Sequence, residues 1–558
     1  MNRKSLFNAA AAAGLTLGAM ALSAPGWSQQ AAPGRGAAAP APARAPAPPP
    51  APPTGKAPIV RVSGGQVEGA FFTPAKDIAV YRGIPFAAAP TGDLRWRSPQ
   101  PVKSWSGVRD GSTYSATCTA AEDCLFLNVY KPADARPGAK LPVMVWIHGG
   151  SFTGGSGSIY DGTPFARRGV VYVSINYRLG KSGWFAHPAI TKNAPRGEAT
   201  GNFGLQDQIA ALRWVQANIG AFGGDKSNVT AFGESAGAIS INYLMTVAPS
   251  HGLFHKVIDE SGFGRIAARP LAGAESQGKT FFDGKNIIGD SAQTLAAMRA
   301  VPWADLQGGS AGVINDGVLV KENSDEAFEK GHEMKVPYLV GGNSNEYSLF
   351  ANGSAPAADR LARITNQRDA ALAAYDPTGA RNAERIIAAM VSDQNINEPD
   401  RALSRAHVRN GQTVYRYFFS YLPPTTRATA LGVNHGGEIT YVFARNAANM
   451  DPQDLATSQA AIAYWTAFAK YGTPGQAGGP DWPKYDLTNE PVMEFGNNGP
   501  AVHNGLYNAR LDWMTVPANR TQVAASNTQP GGAGRGGAAA PAAGAGRGGA
   551  GGAAGRGG

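Results

Sequence analysis

The sequence predicts an α/β protein, with a doubly wound, mostly parallel sheet and helical subregions inserted into it. Three observations carry this. Short apolar runs such as Leu141-Pro142-Val143-Met144-Val145-Trp146-Ile147 and Val336-Pro337-Tyr338-Leu339-Val340 read as buried parallel strands and alternate with helical patterns. Another run, Asn228-Val229-Thr230-Ala231-Phe232, passes through a single tight turn into an apolar stretch at 238–245 that reads as a buried helix. Glycine-rich turns follow several strands at their C-terminal ends, the edge on which parallel sheets assemble their sites. The foldable part of the 558-residue chain, 56–523, is long for one domain but has no internal repeat. It fits one domain with helical subregions at about 261–346 and 359–407.

From the N-terminus, residues 1–28 read as a secretory signal. Arg3 and Lys4 precede an apolar, alanine-rich stretch at 6–22, and small residues follow. The stretch is too short and too weakly apolar to favour a retained membrane anchor. A secreted or periplasmic location follows. Residues 29–55 form an Ala/Pro-rich linker, expected as a semi-rigid extended spacer. At the other end, 524–558 is a Gly/Ala/Arg tail expected to be disordered. Its three arginines are widely spaced and lack aromatic neighbours, which argues against nucleic-acid binding. The net charge of +10 agrees: residues 1–55 hold four basic and no acidic residues, 524–558 hold three and none, and the core keeps only +3. The oligomeric state is not legible.

The run at 141–147 ends in His148-Gly149-Gly150-Ser151-Phe152, where small residues allow backbone N–H groups to approach a substrate oxygen. Taken alone, this is equally a glycine-rich turn. Next, Gly233-Glu234-Ser235-Ala236-Gly237 places a serine on the strand-to-helix turn. Flanking glycines relieve crowding there, and the helix aims unpaired N–H groups at charge developing beside Ser235. A serine hydroxyl needs a base to take its proton and donors to hold the resulting oxyanion.

For the acid, Glu346 follows the strand at 336–340 on its C-terminal side, with Asp316 and Glu438 as competitors read as structural. For the base, eight histidines are available. His251, His255, His332 and His407 sit in polar stretches that read as surface, while His187 and His503 have no supporting context. His435 lies downstream of the serine in a glycine-flanked loop, Gly432-Val433-Asn434-His435-Gly436-Gly437-Glu438. The order Ser…Glu…His is that of α/β-hydrolases. No metal-ligand cluster and no phosphate loop is recognisable, and no cofactor is implied.

Longer motifs run in the same direction: Tyr81-Arg82-Gly83-Ile84-Pro85-Phe86-Ala87, Leu94-Arg95-Trp96, Glu122-Asp123-Cys124-Leu125-Phe126-Leu127-Asn128-Val129-Tyr130, Asn176-Tyr177-Arg178-Leu179, Gly201-Asn202-Phe203-Gly204-Leu205-Gln206-Asp207 and Phe222-Gly223-Gly224-Asp225. In this order they resemble the type-B carboxylesterases, the family of cholinesterases and bacterial para-nitrobenzyl esterases, over about residues 58–515. The resemblance implies an α/β-hydrolase fold and a serine carboxylesterase acting on small-molecule esters. It makes Ser235 the nucleophile, His435 the base and Glu346 the acid. The oxyanion donors would be the N–H groups of Gly150, Ser151 and Ala236, and Ser261 would support the triad. An amide or carbonate substrate is an alternative, and a non-catalytic binding module of the same family is disfavoured because the triad is intact.

Two departures stand out. Ser151 occupies a position that is often glycine in the family, which narrows the pocket but leaves the N–H in place. In cholinesterases two cysteines enclose a long loop carrying a cation-binding tryptophan. Here Cys118 and Cys124 enclose only Thr119-Ala120-Ala121-Glu122-Asp123, so that segment cannot build a cation–π site. As the only two cysteines, they fit a single local disulfide worth about 2 kcal/mol on the chain-entropy estimate. A histidine base further implies that activity falls as pH drops through about 6 to 7.

Overall fold

The strands at Leu141–Ile147 and Val171–Ile175 show no polar alternation because both of their faces are covered. Along the first, Val143, Val145 and Ile147 join one core with Leu205, Ile209 and Leu244, while Met144 and Trp146 join a second core with Phe443 and Trp465. The helices Phe203–Asn218 and Ala236–Leu244 therefore lie on one face, and Pro452–Tyr471 lies on the other. This is a three-layer α/β architecture in a computed structural model that describes residues 52–309, 311–351 and 354–527. The expected signal segment, the linker up to residue 51 and the tail from residue 528 lie outside the described residues.

Among the described residues, the sheet has thirteen strands. Its middle consists of seven parallel neighbours in the order Val171–Ile175, Leu141–Ile147, Gly224–Glu234, Lys256–Glu260, Tyr338–Asn343, Val414–Phe419 and Pro491–Gly496. Antiparallel strands extend both edges. Because Leu141–Ile147 has a later strand on each side, the chain leaves it in opposite directions, and a crevice opens at the C-terminal ends.

Both expected helical subregions are present. Leu271–Asp283, Ala292–Ala300 and Ser324–Lys330 precede the strand at Tyr338–Asn343, and four helices from Ala357–Ala362 to Glu398–Arg409 follow it. The last helix, Pro517–Ser526, ends three residues beyond the tail boundary expected at 524. Val523 packs with Ile364 and Trp513, and the Ser526 carbonyl accepts a 3.0 Å bond from Arg363. Among the described residues, no helix is long and apolar enough to cross a membrane.

Cys118 and Cys124 are joined by a disulfide. Arg95 of the Leu-Arg-Trp motif braces that loop: its guanidinium bonds Glu122 and also donates to the Arg299 and Val301 carbonyls at 2.9 and 2.6 Å. Arg178 and Asp207, from two further motifs, form a buried two-point ion pair at 2.7 and 2.8 Å. The motifs outside the crevice thus hold the loops around it.

Candidate active site

Strand register brings the site together. Ile147 pairs with Gly233, and Glu234 pairs with Glu260, so the segments beginning at His148, Ser235 and Ser261 leave the sheet side by side. Ser235 N–H donates to Glu260 O at 2.9 Å, and Ser261 N–H donates to Gly341 O at 2.8 Å. The elbow needs its glycines for space. A methyl on Gly237 would lie 2.0 Å from Ile147 O, and one on Gly233 would lie 2.5 Å from the same atom. Ser235 itself is held at φ 56°. Ser151, Phe152, Ser261 and Phe263, all around the same crevice, also have φ between 49° and 59°. Each such residue costs roughly 1–3 kcal/mol, a strain that clusters at functional sites.

Glu346, in a short turn after the strand at Tyr338–Asn343, is fully buried. Three donors converge on its carboxylate: Ser261 Oγ at 2.6 Å, Asn343 N–H at 2.7 Å and His435 Nδ1 at 2.6 Å. The carboxylate acceptor places the proton on Nδ1 and leaves Nε2 as the free nitrogen. That Nε2 is buried, lacks a hydrogen-bond partner and stands 3.2 Å from Glu234 Oε1.

The loop at 148–152 runs above the serine. A methyl on Gly149 would meet Glu234 Oε2 at 2.5 Å, Glu234 O at 2.7 Å and Ser235 Cβ at 3.1 Å. The N–H groups of Gly150, Ser151 and Ala236 donate to no protein acceptor among the described residues. Gly150 and Ser151 are exposed at the mouth, whereas Ala236 is buried at the start of its helix. His148 shapes this loop from below. Its ring stacks on Tyr177 and donates from Nδ1 to Gly149 O at 2.8 Å, and burial lowers its pKa to about 4. The ring is neutral in the working pH range. Phe263 lines the crevice, with its ring 5.8 Å from the His435 imidazole and 6.1 Å from Phe350.

Neither competing carboxylate hydrogen-bonds a histidine ring among the described residues. Asp316 bonds Asn202 and caps the N–H groups of Val318, Leu319 and Val320. Glu438 is buried and takes the Asn343 amide. Among the histidines, the surface reading of His407 is wrong. It is fully buried, with Nδ1 2.9 Å from Glu333 and Nε2 2.9 Å from Val336 O. Its helix, Glu398–Arg409, is polar on average, which hid the inward face.

Sequence reasoning passed over Glu234, whose only signal was its place beside the elbow serine. Burial raises the Glu234 carboxyl; His435 opposes this, and the Glu346 charge adds to it. For His435, burial works against charging the ring. The Glu346 and Glu234 carboxylates outweigh that and hold its pKa well above the usual imidazole value.

Comparison with known proteins identifies the family. The family model described as Carboxylesterase family matches residues 56–514. The fumonisin B1 esterase of Sphingopyxis macrogoltabida is 36% identical over 482 residues, covering 78% of this chain and 85% of its own. Human cocaine esterase is 32% identical over 500 residues, covering 78% and 86%. Among solved structures, the Geobacillus stearothermophilus carboxylesterase at pH 6.2 superposes with a TM-score of 0.70 at 29% identity, and a PNB esterase with 0.70 at 27%. Each of these two alignments covers 81% of this chain and 99% of the other. The chain belongs to the carboxylesterase family and is a carboxylic ester hydrolase of the α/β-hydrolase fold.

Proposed function

We propose that Ser235 is the nucleophile of a serine esterase, with His435 as its base and Glu346 as the acid. The observation that carries this reading is the fully buried Glu346 carboxylate on His435 Nδ1 at 2.6 Å, with the buried Nε2 3.2 Å from Glu234, the residue that directly precedes the strained elbow serine. Ser235 Oγ attacks the ester carbonyl while Nε2 takes its proton, a contact that forms once substrate is bound. The N–H groups of Gly150, Ser151 and Ala236 receive the oxyanion. Collapse breaks the ester C–O bond, and the imidazolium returns the proton to the leaving alcohol. Water, deprotonated by His435, then attacks the acyl-enzyme and releases the acid. Ser261, donating to Glu346 Oε1, keeps the other carboxylate oxygen aimed at Nδ1.

A fluorophosphonate probe should label the protein once, on the peptide carrying Ser235, as read by mass spectrometry. Labelling at another serine, or none, would overturn the assignment and reopen the binding-module reading. A hydrolysis screen across acyl length and alcohol size, with amides and carbonates alongside, defines the substrate. Fumonisin B1 and cocaine, for which two relatives are named, belong in it. The disulfide and the basic, apolar N-terminal sequence support export to an oxidising compartment.

The pH dependence follows from the carboxylates on either side of His435. A base works in its neutral form, so activity is lost as pH falls through its pKa. The sequence alone placed that loss at about 6 to 7. Glu346 and Glu234 raise the imidazole pKa, so the acid limb of kcat/KM should lie higher. Glu234→Gln removes a charge 3.2 Å from Nε2 and should move the limb down by about one pH unit or more. His435 and Glu234 titrate together, so the measured limb belongs to the pair. An unmoved limb would show that Glu234 carries no charge in the free enzyme.

A further inference from the structure

The loop that carries His435 is poorly suited to holding a side chain still. Gly432, Gly436 and Gly437 flank the histidine, and Gly436 has φ 69°. Glycines widen the conformations open to the backbone, so the restraint must come from outside the loop. It comes from the segment that carries Glu346. Asn345 N–H donates to Val433 O at 2.9 Å, and the two segments pair as an isolated parallel bridge, Asn345 with Asn434. Two serines on the acid segment face the base loop as acceptors: Val433 N–H donates to Ser344 Oγ at 2.8 Å, and His435 N–H donates to Ser348 Oγ at 2.9 Å. Asn345 Nδ2 adds a 2.8 Å bond to Asn434 Oδ1.

The bond to Ser348 differs from the others because it reaches His435 itself. Ser348 lies two residues after Glu346, in the same short helical turn, Glu346–Leu349. One rigid turn therefore grips His435 at two points, the ring through Glu346 Oε2 and the main chain through Ser348 Oγ. The main-chain bond fixes where the side chain starts, a restraint that the ring's contacts with Glu346, Glu234 and Phe263 do not supply. We infer that Ser348 is a positioning residue for the esterase reaction, directing His435 Nε2 toward the Ser235 proton by holding the His435 main chain. The inference rests on His435 being the base.

A small misplacement of a catalytic group can lower turnover by up to about a hundredfold, and KM responds only if substrate contacts change. Ser348→Ala should therefore lower kcat about tenfold and leave KM within twofold. Ser348→Thr keeps the oxygen and should recover kcat to within about threefold of the parent enzyme. The far-downfield proton resonance of His435 Nδ1–H should broaden in the alanine variant and sharpen again in the threonine variant. If the alanine variant fails to fold, Ser348→Cys, of similar size with a weaker acceptor, should show an intermediate kcat.

The inference is overturned by Ser348→Ala, or in its place Ser348→Cys, with kcat within twofold of the parent. It is also overturned by a loss carried in KM, or by a threonine variant no better than alanine. His435→Ala separates this failure from that of the underlying reading. An inert His435→Ala beside a fully active Ser348→Ala removes only the role of Ser348, whereas an active His435→Ala removes the base assignment as well.

Discussion

Ser235→Ala lowers ester turnover by at least about three orders of magnitude and leaves the melting curve unchanged. The large effect is expected because Ser235 is the group that forms the acyl-enzyme in the proposed mechanism. Ser235 stands where the strand Gly224–Glu234 passes directly into the helix Ala236–Leu244. Stability should be preserved because the hydroxyl makes no hydrogen bond among the described residues and alanine fills the same space. The elbow is held by other contacts, namely the Ser235 N–H bond to Glu260 O and the close packing of Gly233 and Gly237 on Ile147 O. His435→Ala should be about as damaging, and Glu346→Gln somewhat less so, since the amide can still accept from Nδ1–H. Steady-state hydrolysis of a chromogenic ester beside a thermal melt makes the measurement. A serine variant with more than a tenth of the parent activity and an unchanged melt would mean that the nucleophile lies elsewhere.

Gly149→Ala should lower kcat by roughly a hundredfold or more, although the residue donates nothing to the substrate in the proposed mechanism. Its added methyl would sit 2.5 Å from a Glu234 carboxylate oxygen and 2.7 Å from the Glu234 carbonyl. The second neighbour is backbone at the end of a central strand and cannot yield. The loop must lift instead, carrying the N–H groups of Gly150 and Ser151 away from the oxyanion. Loss of one oxyanion donor costs about 2.7–4 kcal/mol in the barrier. Ser151→Gly is the matched control. It keeps the N–H and relieves a side-chain residue at φ 54°, so activity should hold while stability stays level or rises by up to about 1 kcal/mol. If Gly149→Ala were fully active, the loop would not be positioned by its contact with the elbow. A large loss in Ser151→Gly would instead give the serine hydroxyl a part in the reaction.

The extent to which the site could be read in advance depended on whether a residue's constraint is local. Ser235 sits in a turn whose crowding is written into five consecutive residues. The loop at 148–152 follows directly from an apolar run whose strand character needs no partner to be recognised. His435 and Glu346 were reached by chain order and by resemblance, and the fold brings them to 2.6 Å. His407 was misread because its helix is polar along its length, yet the inward face closes over Glu333 and the Val336 carbonyl. The tail expected from 524 begins inside the last helix, because alanine and serine carry little apolar signal. Val523 and the bond from Arg363 to Ser526 O still hold it to the fold.

From the sequence come the class of fold, the buried runs at 141–147, 228–232 and 336–340, the strand-to-helix serine turn and the glycines that make it possible. These depend on periodicity, residue volume and backbone freedom, which act between near neighbours in the chain. Tertiary structure alone decided which carboxylate meets which histidine nitrogen, that Glu234 faces Nε2, and that Ser348 holds the His435 main chain. Those contacts join segments some 87 to 201 positions apart. Strand register sets them, since the order in which strands pair places the ends of distant loops in one crevice. Their chemistry is largely non-local, because the imidazole pKa reflects burial and chiefly the Glu346 and Glu234 carboxylates, with only the smaller contribution of Glu438 coming from the loop of His435 itself.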